Sequence, residues 1–143
     1  MDLETLQHVV TMTNKIALGT ALNDQADVKI VNFVWTAAQP DTLFFSSVKD
    51  SAALTTYAQH PDVAFISVPN DGAVGNPYIR AQHVQLVRSE KTMTDLLPLY
   101  LETVPNYQKV WDLIGPQLVV FELKLKALYV DPGLGQAKGT LQF

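Results

Sequence analysis

The sequence of 143 residues contains no cysteine. That excludes disulfides, thiolate nucleophiles and cysteine-ligated zinc. Positive charge is sparse: 10 Lys and Arg against 14 Asp and Glu give a formal net charge of −4. The basic residues are scattered, so there is no patch of the kind nucleic-acid binding needs. No apolar run approaches membrane-spanning length. The opening Met1-Asp2-Leu3-Glu4 is acidic and lacks the basic-then-apolar pattern of a secretory signal. The expectation is a cytoplasmic protein with neither a nucleic-acid nor a membrane partner. The three histidines, His8, His60 and His83, fall in three different segments without metal-site spacing, and no metal is expected. Phosphate-loop, dinucleotide and Gly-x-Ser-x-Gly fingerprints are missing as well. Gly133-Leu134-Gly135 follows a strand and reads as a loop, and Asp24 and Asp27 read as solvated turn carboxylates.

What is present is a globular composition, 48% apolar and 17% charged, of a length that suits a single domain over residues 1–143. Residues 2–13 are predicted as a short amphipathic helix, with Asp2 as N-cap and Leu3, Leu6, Val9 and Val10 on one stripe. The rest is dominated by strands. In 15–22, Ile16, Leu18, Thr20 and Leu22 face one way. Ala17, Gly19 and Ala21 form a small-residue face that would let another strand or a flat ligand approach the backbone. Turn residues 23–27 join this strand to a second over 28–35, rich in Val, Ile and aromatics. Further strands are predicted over 43–47, 62–68, 78–88 and 118–130. In the last, Val119, Phe121, Leu123 and Leu125 alternate with Val120, Glu122, Lys124 and Lys126, which predicts one buried and one wet face. Short helices are predicted over 51–59, 92–102 (short or kinked at Pro98) and 105–114, with Pro105 in the first turn of the last. The tail from Asp131 to Gly135 reads as irregular. Six strands with few helices point to a mainly β fold, an antiparallel barrel.

The stretch Leu43-Phe44-Phe45-Ser46-Ser47-Val48-Lys49-Asp50-Ser51 carries the most chemistry. A strand ends in hydroxyls and a lysine, and a helix begins at once. Free amides at a helix start, two or three hydroxyls and one ammonium make a phosphate-sized anion site. The same residues also fit a plain reading, in which Asp50 or Ser51 caps the helix and Lys49 is solvated.

The order of hairpin, turn, Leu43-Phe44-Phe45-Ser46-Ser47, short helix and His60-Pro61-Asp62-Val63-Ala64-Phe65 resembles the pyridoxamine 5'-phosphate oxidase-like FMN-binding split barrels. The likeness extends over the long strand at 78–88, helices carrying Tyr107 and Trp111, and a closing strand at 118–130. It implies a six-stranded antiparallel split β-barrel and an FMN shared at a homodimer interface, the commonest closed assembly being two-fold. By position the resemblance implies Asn32, Phe33, Ser46 and Ser47 beside the flavin ring, with Lys49 and Ser51 at the phosphate and Trp111 near the site. Phe33 and Trp111 are equally residues that cores use. The family's phosphate lysine falls on Ala53, which leaves Lys49 as the nearby substitute and Arg80 or Arg88 as others. The Arg-Leu-x-Pro element of true pyridoxamine-phosphate oxidases is absent, which argues against vitamin B6 oxidation. The implied function is an FMN-dependent oxidoreductase of unassigned substrate, with no catalytic acid or base named, since the flavin carries the chemistry. Alternatives are a flavin- or haem-binding barrel without turnover, and a barrel that has lost its cofactor.

Overall fold

The structure, a computed structural model, describes all 143 residues. The chain opens with helix α1 (Leu3–Val10), whose Asp2 N-cap accepts a hydrogen bond from the Thr5 amide at 2.8 Å. That bond satisfies one of the free amides of the first turn. Leu6 and Val9 point from α1 into the core and are fully buried. Strand β1 (Thr13–Leu22) then turns into β2 (Gln25–Asn32). The turn is only Asn23 and Asp24, both at positive φ (53° and 62°). Asn and Asp tolerate the left-handed region that a two-residue hairpin requires. The predicted five-residue turn is therefore shorter, and β2 starts three residues early.

Next come β3 (Val34–Trp35), β4 (Thr42–Val48), α2 (Ala53–Gln59), β5 (Asp62–Pro69) and β6 (Tyr78–Arg88). Helices α3 (Met93–Thr103) and α4 (Tyr107–Ile114) follow, then a 3₁₀ turn at Gly115–Gln117. Strands β7 (Leu118–Lys124), β8 (Ala127–Asp131) and β9 (Gly139–Gln142) complete the chain. All six predicted strands exist, but two are broken and one is added. The second breaks at Phe33 into β2 and β3. The last breaks at Leu125–Lys126, where the Leu125 amide bonds Asp41 O at 2.8 Å. The tail is irregular through Gly135, then forms β9 against β8.

The sheet order is β2-β1-β5-β6-β7-β4-β3, with β8 and β9 continuing from the other half of β6. All pairings are antiparallel. The two ends of the order, β2 and β3, are separated by one residue, Phe33. The chain leaves β1 on one side of that residue and joins β4 on the other, which curls the sheet into a split barrel. In β6, Gln82 and His83 together oppose Ala64, since Val63 pairs with Val84 and Phe65 with Ala81. This is a β-bulge, and it holds His83 at φ 54°.

Two cores result. The barrel interior holds Ile16, Leu18, Phe33, Leu43, Phe45, Phe121, Leu123 and their neighbours. Tyr57 of α2 closes one mouth of it, with ring centroids 5.7 Å from Phe45 and 5.2 Å from Phe121, both edge-on. The second core lies outside the barrel wall, where Val34, Phe44 and Val120 meet Met93, Leu96, Tyr100 and Tyr107 of α3 and α4. This corrects the expected wet face of the closing strand: Val120 is buried under the helices and Val119 only partly buried. Helix α3 continues through Pro98, which lies mid-helix on the exposed face, where the Thr94 carbonyl it frees also belongs to an exposed residue. A Thr92/Asp95 capping box fixes its start. Pro105 falls before α4 rather than in it; Asn106, at φ 61°, precedes the first turn.

Phe121 stacks on Phe45 at 5.6 Å and is 5% exposed. Phe121→Asp should abolish soluble expression, since it buries an unpaired charge and leaves a cavity worth about 3–5 kcal/mol. Val119→Asp should be tolerated better, and Lys124→Ala best. Soluble yield and urea midpoints rank the three.

Candidate functional site

Alternation along β4 sends neighbouring side chains to opposite faces. Phe45 lies in the barrel interior and Phe44 in the outer core, so Ser47 and Ser46 divide in the same way. The predicted site is thus split by the sheet itself. On the inner side the Ser47 and Ser51 hydroxyls are 3.2 Å apart. Between them runs a turn closed by the Ser51 amide on Val48 O at 3.0 Å, with Lys49 and Asp50 exposed at its tip. The Lys49 amide bonds Gln117 O at 2.8 Å, which ties the turn to the start of β7. Helix α2 begins after this turn with Ala52 at its N-cap and no side-chain cap. Neither Asp50 nor Ser51 caps it, so that part of the plain reading does not hold, while Lys49 is exposed as the same reading expects.

Two cations flank α2: Lys29, missed in the sequence reading, and Arg88, one of the two arginines it offered. Lys29 Nζ sits 5.1 Å from the Tyr57 ring centroid, and Tyr57 follows Ala53 by one helical turn on the same face. The signal was available: on β2, Lys29 alternates with the outward Val28 and Ile30. Arg88 lies 5.9 Å from the Phe121 ring, at a cleft of about 330 Å³ lined by Leu54, Tyr57 and Arg88 among others. Arg80 belongs elsewhere, stacked 4.9 Å over Tyr129.

On the outer side, Ser46 pairs across to Val120 beneath α3 and α4. Tyr100 and Tyr107 stack at 4.5 Å there. Neither buried hydroxyl has a hydrogen-bond partner. Burial pushes the Tyr100 phenol far above its ordinary range, the neighbouring Tyr107 adds to this, and Ser46 opposes it. Burial also raises Tyr107, again opposed by Ser46. The Ser46 hydroxyl is thus near both phenols without reaching hydrogen-bonding geometry to either. Trp111 packs on this same cluster. Its indole lies against Gly115, where a Cβ would come within 2.4 Å of the ring, so only glycine fits. Asn32 ends β2 opposite Lys15, partly exposed. Phe33 is buried in the barrel at 1% exposure, so only its backbone faces the split. No group of three or more His, Asp or Glu is placed to hold a metal ion.

A sequence model described as pyridoxamine 5'-phosphate oxidase-like matches residues 9–137. The chain belongs to that family. No curated protein matches it in sequence. Among solved structures, a NimC/NimA family protein from Clostridium acetobutylicum is 16% identical with a TM-score of 0.66, covering 98% of this chain and 90% of its own. A FAD-binding protein from Mesorhizobium loti is 12% identical with a TM-score of 0.63 and 90% coverage of each chain. A haem-binding protein from Mycobacterium smegmatis is 12% identical with a TM-score of 0.69; it covers 97% of this chain, which spans 57% of that one. At these identities the likeness is one of fold. No helix of this family member is long and apolar enough to cross a membrane.

Beside Ser46 on the outer wall, the Phe44–Glu122 pair of β4 and β7 borders a charge cluster. Partial burial pushes the Glu122 carboxyl up, but this is outweighed by the Lys124 ammonium at 2.8 Å and the Ser89 hydroxyl at 2.6 Å, and its pKa falls below the usual range. A folded-state pKa below the unfolded one gives stability that is present above the unfolded value and lost as pH falls through the folded one. The urea-midpoint advantage of the parent over Glu122→Gln should therefore be largest near neutrality and shrink on acidification below the ordinary carboxylate range. An advantage independent of pH would show that the charge is not what stabilises this wall.

Proposed function

We propose that this chain binds FMN at a homodimer interface and works as an FMN-dependent oxidoreductase. The observation that carries this is the Ser47–Ser51 hydroxyl pair beside an α2 start that no side chain caps. Hydroxyls and a nearby ammonium belong to the donor set a phosphate monoester requires, although the Leu54 and Thr55 amides of the first turn already donate to Ser51 O and Ala52 O. Lys49 supplies the ammonium at the turn, with Lys29 on the far side of the helix. The backbone at Asn32–Phe33, the Ser46 hydroxyl and Trp111 are the residues that would take the ring. The FAD-binding structure from Mesorhizobium loti supports a flavin in this fold. Bound FMN would supply two-electron transfer, and the chain's residues bind, orient and tune it.

The homodimer reading rests on the outer face of β1, β2 and β5. Ile30, Ala17 and Ile66 line up across three strands, as do Val28, Gly19 and Ala64. Val28 is 65% exposed, Ile30 57% and Ile66 42%. Small residues in the middle row let a second sheet approach closely, and an apolar patch of this kind calls for a partner. A self-complementary patch fits a two-fold copy.

Three experiments test these readings. Absorbance of the purified protein, before and after adding FMN, should show a bound oxidised flavin; a Soret band on adding haemin with no flavin band would move the assignment to haem. Lys49→Ala should weaken FMN by roughly ten- to a hundredfold, the loss of one charge-assisted contact, and riboflavin much less. Unchanged FMN affinity would pass the phosphate to Lys29 or Arg88. Light scattering at micromolar concentration should give a dimer that Val28→Asp with Ile66→Asp converts to a folded monomer. A monomeric parent would overturn the shared site.

A further inference from the structure

Away from the residues given to the flavin, the outer wall of β6, β8 and β9 holds an open cavity of about 370 Å³, lined by Arg80, Gln82, His83, Ala127, Tyr129 and Thr140 among others. The strand pairings bring these residues together. Arg80 of β6 lies opposite Tyr129 of β8, and Tyr129 opposite Thr140 of β9, so the three form one row across the sheet. The Arg80 guanidinium stacks on the Tyr129 ring at 4.9 Å, which fixes its plane. The ion pairs of the chain are His83–Asp62 and Lys124–Glu122, so Arg80 has no carboxylate partner. The β6 bulge adds to the same wall. It sets Gln82 and His83 side by side, where regular alternation would turn His83 inward. His83 is held at φ 54°, a conformation that glycine adopts without strain. Its side chain is 82% exposed, and its contact with Asp62 at 3.7 Å is too exposed to offset that strain.

We propose that this cavity is a second ligand site, which takes a small organic acid with its carboxylate on the Arg80 guanidinium and its body against Ala127 and Tyr129. The lining decides the class. Arg80, Gln82, His83 and Thr140 all carry N–H or O–H donors, and no Asp or Glu lines the cavity. A guanidinium presents a planar fork that matches the two oxygens of a carboxylate. Ala127 and Tyr129 add apolar surface, which an inorganic anion alone would leave uncovered. The volume falls at the lower end of the roughly 300–1,000 Å³ of small-molecule pockets. Asp62 sits at His83 Nδ1, so Nε2 is the nitrogen left for the ligand. The strain at His83 then has a use: a side chain kept in an unfavourable conformation, with no hydrogen bond inside the chain, is kept for what it meets outside. Arg80 also follows Ile66 in the row Ile30–Ala17–Ile66, which puts the cavity at the rim of the apolar patch. Tyr129 and Thr140 lead away from that patch, so one chain supplies all the donors. The site does not rest on the flavin reading.

Benzoate is the probe, titrated into the full chain and followed by amide NMR shifts, with benzamide and inorganic phosphate as comparisons. Benzoate should give saturable shifts at residues 80–83 and 127–129. Benzamide keeps the shape and loses the charge, so it should bind roughly tenfold or more weakly. Benzoate should lose as much on Arg80→Gln, since each change removes the charge-assisted contact. Inorganic phosphate should bind more weakly than benzoate. His83→Gly should melt close to the parent and bind benzoate roughly three- to tenfold more weakly. Saturating FMN should leave benzoate affinity unchanged; displacement would make the cavity part of the flavin site and overturn a second one. The absence of saturable shifts at 80–83, equal binding of benzamide, or unchanged affinity in Arg80→Gln would each overturn the anion site, whether or not FMN binds. Phosphate binding tighter than benzoate would overturn the organic acid as its ligand. A large loss of melting temperature in His83→Gly would overturn the role given to that side chain.

Discussion

Everything in this fold depends on closure of the sheet through Phe33. The first and last strands of the order are β2 and β3, and one residue joins them. Before Phe33 the backbone is committed to β1; its own amide still bonds Asn14 O at 3.1 Å. After it, Val34 pairs with Phe44 of β4. The side chain of Phe33 fills the barrel at the point of crossing, so burial of one aromatic ring holds the split edges together. The short β3 leaves β4 mostly free on that side. That is why the serines at the end of β4 lie at an opening rather than inside a continuous sheet.

β4 is also a partition. A strand with both faces buried belongs to two cores at once, and here Phe45 and Tyr57 hold one while Phe44, Tyr100 and Tyr107 hold the other. The two serines inherit that division. Ser47, with Ser51 beside it, lies on the α2 side and Ser46 on the α3–α4 side, with the strand's thickness between them.

The strand list was largely legible in the sequence, because alternation and turn residues are local signals. Asp2 as N-cap, the long β6 and the family resemblance all came from such signals. Breaks were not legible: Phe33 and Leu125–Lys126 look like ordinary strand residues, and the break is imposed by which partner each half finds. The buried outer face of β7 was hidden for the same reason. Val120 next to Glu122 reads as a wet face until α3 and α4 are known to cover part of it. At the site, Ser46 through Ser51 stood out by residue type, but their division between two faces needed the register. Lys29 was overlooked because it is 24 residues from Ala53 in sequence, and only the closed barrel brings β2 beside α2. The unpartnered phenols carry no sequence signature, since tyrosine in a core looks the same with or without an acceptor.

The bulge at Gln82–His83 gives β6 a change of parity. Ile79 and Ala81 point into the core before it, and Val84 and Leu86 after it, so inward residues are odd-numbered on one side and even-numbered on the other. One strand thereby carries two phases of the same two-residue alternation. The early phase serves β8 and the late phase serves β7. Chain length is consequently counted here in single residues. Losing one of the two bulge residues would set Ile79, Ala81, Val84 and Leu86 on one unbroken alternation, both halves still facing the core, and remove the bend and twist that the bulge supplies; losing a residue elsewhere in β6 would turn one half outward.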